Sequence, residues 1–176
     1  VKKVVQTLFK IYNDLLEELS PWIRRGLMDD IDWSSRLIGI KGARGIGKTT
    51  FLLNYARRIE GKRRCLYVDL NNFYFSTHTI ITLAEDFRKL GGNTLLLDQV
   101  YKYPDWSKEL RYCYDNFPDL QIVFTGSPVM RLKEENPELH GLVKVYSLEG
   151  FSFREYLNYK TGMNFSKLSL SDIVDN

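Results

Sequence analysis

Arg36-Leu37-Ile38-Gly39-Ile40-Lys41-Gly42-Ala43-Arg44-Gly45-Ile46-Gly47-Lys48-Thr49-Thr50 passes from a short apolar run into a glycine-rich turn, and FLLNYARRIEGK (51–62) follows with a helical pattern. The order strand, turn, helix is the context that gives the spacing Gly42-x-x-x-x-Gly47-Lys48-Thr49 its meaning as a phosphate loop. Glycines tolerate positive φ and let backbone amides turn inward toward a triphosphate, while the helix that follows adds its positive N-terminal end. Lys48 is placed to meet the β and γ phosphates. Thr49 offers a hydroxyl to Mg²⁺, an ion that keeps several waters and bridges phosphate oxygens. Gly42, Ala43, Arg44, Gly45, Ile46, Gly47, Lys48, Thr49 and Thr50 are therefore the candidate nucleotide-binding residues, and Thr49 is also a candidate metal ligand.

Outward from this segment the alternation continues. Cys65–Leu70 reads as a buried strand, and Ser76 or Thr77 can cap a helix through Ile80, Ala84, Phe87 and Leu90 that stops at Gly91-Gly92. Thr94–Leu97 is a third strand ending in Asp98. Pro104 and Asp105 start a helix, Gln121–Phe124 is a fourth strand leading to Thr125-Gly126-Ser127, and Leu142–Tyr146 is a candidate fifth. Upstream, Val4, Val5, Leu8, Phe9, Ile11, Tyr12, Leu15, Leu16 and Leu19 recur at helical spacing up to Ser20-Pro21, and residues 21–35 read as a helix fragment plus connector. Short apolar strands separated by helical patterns predict a three-layer α/β fold, a mostly parallel sheet of about five strands with helices on both faces.

Composition narrows the function classes. The 176 residues are 44% hydrophobic, enough for one core that needs no disulfide or metal support, and 25 Lys and Arg against 22 Asp and Glu leave +3 with the signs mixed along the chain. No basic face for nucleic acid is indicated. Cys65 and Cys113 stand alone, and His78 and His140 lack partners at metal-ligand spacing, so neither a disulfide framework nor a zinc site is expected. No apolar run approaches the ~18 residues of a membrane helix and no signal-peptide pattern opens the sequence, which makes the cytoplasm the expected compartment.

Asp98 ends its strand at the carboxyl edge of the sheet, where open α/β sheets bind ligands, so its carboxylate is the second candidate for holding Mg²⁺. One strand lies between the loop and Asp98, and another follows with Thr125 and Ser127 at its end. This order fits the ATPase division with an additional strand better than small-molecule kinases, whose arginine-rich lid has no recognisable counterpart. GARGIGKTT (42–50), LLLDQVYKYPDW (95–106), QIVFTGSP (121–128) and SLEGFSFREYL (147–157) closely resemble the bacterial and archaeal AAA-like P-loop ATPases that carry a C-terminal domain of unknown function. The resemblance covers roughly Ile38 to Tyr159. It implies the sheet order 5-1-4-3-2, ATP with Mg²⁺ as ligand, possible oligomerisation, and a further C-terminal region. On that basis residues 1–35 are a helical lead-in packed on the ATPase core, 36–160 are the core, and 161–176 begin a linker.

Three departures from the family pattern bear on activity. The Glu that usually follows the third-strand acid, and that orients and deprotonates the attacking water, is Gln99; a carboxamide positions water but cannot take its proton. A further Ser is replaced by Pro128, leaving Thr125 and Ser127 to hydrogen-bond the γ-phosphate or water. The Arg found in relatives before the fifth strand is absent from His140-Gly141-Leu142, with Arg131 a candidate substitute. Gln99 and Ser127 are the candidate catalytic residues, and two functions compete: ATP hydrolysis driving a conformational change, weakened at Gln99, or a nucleotide-gated interaction module with little turnover. Of the remaining features, Asp69 suits either a site or a turn role. Tyr101, Tyr103 and Trp106 suit packing under the Asp98 loop better than a docking patch, and Lys62-Arg63-Arg64 reads as a solvated edge.

Overall fold

The computed structural model describes residues 2–19, 24–59, 64–127 and 136–166. In chain order the elements are α1 (Lys2–Glu18), α2 (Leu27–Asp30), β1 (Leu37–Lys41), α3 (Lys48–Ala56), β2 (Cys65–Asp69), α4 (Ile80–Lys89), β3 (Thr94–Asp98), α5 (Trp106–Asn116), β4 (Gln121–Gly126), β5 (Lys144–Ser147) and α6 (Phe153–Thr161). Short 3₁₀ turns at Phe73–Ser76, Val100–Lys102 and Pro137–Leu139 link them. The five strands form one parallel sheet in the order β2-β3-β4-β1-β5, the order that the family resemblance implied.

This order separates the helices into layers. The chain crosses from β1 to β2 at the far edge and then steps back through β3 to β4. Since parallel crossovers are right-handed, a reversal of direction moves the connecting helix to the opposite face. α3 therefore covers one side, lying across β2, β3 and β4, while α4 and α5 pack on each other on the other side. Covered on both faces, the inner strands are apolar along their middles: Leu95, Leu96, Leu97, Val123 and Phe124 have no exposed surface. Gly39 lies under the Phe124 ring, where an added Cβ would come within 3.0 Å of it.

Local chemistry shifted several boundaries. The helix after the glycine turn ends at Ala56 rather than continuing through residue 62. The cap of α4 is Thr79, whose hydroxyl accepts from the Thr82 amide at 3.0 Å; Ser76 instead donates to Phe73 O inside a 3₁₀ turn, and Thr77 bonds the His78 ring. On α1 the stripe is narrower than the apolar spacing suggested. Val5, Leu8 and Tyr12 are buried against β2 and α4, but Val4 and Ile11 face solvent. Its end at Ser20-Pro21, the Lys62-Arg63 pair, Pro128, Arg131 and residues 167–176 of the expected linker lie outside the described residues.

Candidate nucleotide site

Between β1 and α3 the loop makes the turn its glycines allow. Gly45 and Gly47 sit at φ 79° and 93°, which a side chain rarely adopts. Gly42 is required for a different reason: a Cβ there would lie 2.6 Å from the Leu148 carbonyl oxygen, because the chain leaving β5 crosses directly over the loop. Lys48 folds back and donates to the carbonyls of Gly42 and Ala43 at 2.7 and 2.8 Å. Burial lowers its ammonium pKa, against the opposing pull of the Asp98 charge. The result is a cation held over a backbone concavity, the arrangement that suits an anion.

Asp98 forms the floor. It is 1% exposed, and its carboxylate accepts hydrogen bonds from four donors on four different elements or turns. Thr49 Oγ1 donates to Oδ2 at 2.5 Å and Tyr67 OH at 2.8 Å, while the Thr125 hydroxyl and the Gln99 amide, at 3.1 Å, reach Oδ1. Burial raises the Tyr67 phenol, and the neighbouring Asp98 charge raises it further, so the tyrosine stays a donor. Asp98 and Thr49 thus bring together two hard oxygen donors at the sheet's carboxyl edge. Among the described residues no cluster of three His, Cys, Asp or Glu side chains forms a metal cage. A pair of oxygens is nevertheless what Mg²⁺ takes when phosphates and waters complete its shell, so the residues fit that ion.

Gln99 is one of two non-glycine residues at positive φ among those described, at 57°. Its amide is fixed by Asp98 and by Thr125 Oγ1 at 2.9 Å, and its carboxamide donates to Asp69 Oδ2 at 2.8 Å. Asp69 pairs with Asp98 across the β2–β3 register. Its carboxyl is pushed up by burial and by Asp98, partly offset by the Asn71 amide and by Gln99. Such backbone strain persists only where surrounding contacts hold it, as these hydrogen bonds do, together with one from the Tyr101 hydroxyl to the Gln99 carboxamide oxygen.

A cavity of about 410 Å³ opens above this floor. Of the expected residues, Gly42, Arg44, Gly45, Gly47, Lys48, Thr49, Asp98, Gln99 and Ser127 line it. Ala43 contributes only its carbonyl to Lys48, Ile46 turns to the rear against Gly42 and Gly150, and Thr50 lies in the first turn of α3 away from the cavity. Thr125 is fully buried beneath the cavity rather than open to it. Trp106 packs on Phe124 and Tyr103 on Phe75 and Glu109, but Tyr101, expected with them under the Asp98 loop, is 51% exposed and lines the cavity with Lys102. Their signal was position: they follow the strand-ending acid by three and four residues. Arg25 had no local signal, and the Ser152-x-x-Glu155 spacing signals only a helix cap.

Strand order and loop together define a P-loop nucleoside triphosphatase fold. The chain belongs to the AAA domain family, whose sequence model matches residues 34–157, and is an AAA-like P-loop ATPase domain. In structure it is similar to PCH-2 of C. elegans, with a TM-score of 0.50 and 14% identity over 87% of this chain and 44% of that one. The chain thus spans less than half of that protein, and the likeness speaks to fold alone. No curated protein matches the sequence.

Proposed function

We propose that the domain binds ATP with Mg²⁺ in the β1–α3 loop and hydrolyses it slowly, because the residue after Asp98 supplies no base. The observation that carries this reading is the 2.5 Å contact between Thr49 and Asp98 beneath a cavity edged by the loop and Lys48. On binding, Lys48 exchanges the carbonyls of Gly42 and Ala43 for phosphate oxygens. Thr49 and Asp98 would hold Mg²⁺, which supplies charge neutralisation and phosphate orientation. Ser127, half-buried at the end of β4, is suited to hydrogen-bond the γ-phosphate or the attacking water. The preference for ATP rests on family membership.

Gln99 favours the low-turnover form of this reading. Its carboxamide is already committed to Asp69, and it has no proton-accepting group for water. In the same proposal residues 1–35 are the lead-in, 36–160 the core, and 161–176 lead to a further region moved by the nucleotide cycle. The assignment is tested by melting with Mg²⁺ and ATP. A ligand confined to the folded state adds ~2.7 kcal/mol at a hundredfold excess over Kd. The wild-type domain should melt higher with millimolar ATP, and Lys48→Ala should lose the rise; an unshifted wild-type protein would refute the reading.

A further inference from the structure

Arg25 is 8% exposed and lies in the connector ahead of β1, twenty-one residues before the loop carbonyl it touches. A buried guanidinium demands partners for its fork of N–H groups, and it finds them on three separate parts of the chain. Nη1 donates to Ile46 O at 3.3 Å, Nη2 to Glu149 O, and Nε to Glu155 Oε1 at 3.4 Å. The Phe151 ring lies 4.7 Å beneath its central carbon. Glu155 is held in turn by the Gly26 amide at 2.7 Å and, through the capping box of α6, by Ser152 N at 2.8 Å.

Ile46 O is the carbonyl of the peptide whose nitrogen belongs to Gly47, so a bond to it fixes the plane of that amide. The side of the loop opposite the cavity is thereby tied to the β5–α6 turn, the same segment whose Leu148 carbonyl crowds Gly42. Arg25 reaches no cavity-lining side chain, and its charge is matched by Glu155. We propose that Arg25, oriented by Glu155, is a positioning residue for the phosphate loop. It sets the Ile46–Gly47 peptide so that the loop amides converge on phosphate, and makes nucleotide affinity depend on the seating of α6. This inference rests on the nucleotide-binding reading above.

Two mechanisms through Arg25 give opposite signs. If the guanidinium acted only as a positive charge near an anion, Arg25→Lys would keep affinity, and Glu155→Gln would raise it by removing a neighbouring negative charge. If it acts by position, both variants lose affinity. Lys lacks the fork that reaches three acceptors, and a Gln at 155 holds the fork less strongly. The test is equilibrium titration of the Mg²⁺ complex of ATP into wild type, Arg25→Lys and Glu155→Gln, each checked for native circular dichroism well below its melting temperature. The proposal expects a loss of roughly tenfold in both variants, within the usual range for coupled sites. Unchanged affinity in folded Arg25→Lys, or unchanged or higher affinity in Glu155→Gln, overturns it and leaves nucleotide binding intact; should Arg25→Lys not fold, Glu155→Gln decides alone. A wild-type protein that binds no ATP removes both readings.

Discussion

In the proposed reading, Gln99 limits hydrolysis while the residues that hold the nucleotide keep their places. Its backbone is pinned at positive φ by Asp98 and Thr125, so the side chain emerges in a fixed direction, and its carboxamide nitrogen has a carboxylate to satisfy in Asp69. Replacing it with Glu therefore does two things at once. It adds a proton acceptor, worth ~10² to 10⁴ in rate when well placed, and it sets that acceptor against Asp69, where the donated hydrogen bond becomes a like-charge contact. Gln99→Glu alone should give a partial gain in phosphate release. Gln99→Glu with Asp69→Asn, which restores a donor to the pair, should give a larger one. Equal turnover in wild type and double variant would show that position 99 does not limit hydrolysis.

At the scale of elements, the contact between the connector and the start of α6 is electrostatic and hence pH-dependent. Burial alone would raise the Glu155 carboxyl, but amide hydrogen bonds from Ser152 and Gly26 and the charge of Arg25 outweigh it and hold the group below the ordinary carboxylate range. A carboxyl whose folded-state pKa is depressed contributes stability that is present above its unfolded value of about 4.3 and is lost as pH falls through the folded value. Melting temperature followed from pH 7 to pH 3 should fall further in wild type than in Glu155→Gln, the gap between the two curves closing in the acid range. Parallel curves would show that the contact adds nothing to folding. The contact also explains why α6 keeps its place with no buried residue of its own, exposing Phe153, Tyr156 and Tyr159. Its anchorage is Glu155, bonded to the Gly26 amide and Arg25, so the SFREYL stretch serves as a polar fastening more than an apolar one.

For the molecule as a whole, the sequence carried the sheet and the loop because both are local: strands buried on two faces are continuous apolar runs, and a phosphate loop is a spacing of glycines followed by a helix. Asp98 was legible for the same reason, as an acid ending an apolar run. Contacts between segments far apart in sequence were not legible. Tyr67 and Thr125 meet at Asp98 only because β2 and β4 flank β3, and Arg25 meets Ile46 and Glu155 only once β5 has joined the far side of β1. The cap at Thr79 was missed because three hydroxyl residues within four positions, Ser76, Thr77 and Thr79, compete, and the 3₁₀ turn takes the first. Among the described residues no helix is long and apolar enough to cross a membrane.

Whether the loop, Lys48, Thr49 and Asp98 form one site for a nucleotide and its ion is decided by calorimetric titration of ATP with Mg²⁺ and again with excess chelator. Wild type should bind in both conditions but more tightly with the ion, because Thr49 and Asp98 then share it with the phosphates. Thr49→Ala should show a weaker magnesium dependence than wild type, having lost one of the two side chains that reach the ion. A folded wild-type domain that takes up no ATP at millimolar concentration, or a Thr49→Ala variant with the full magnesium dependence, would contradict the account.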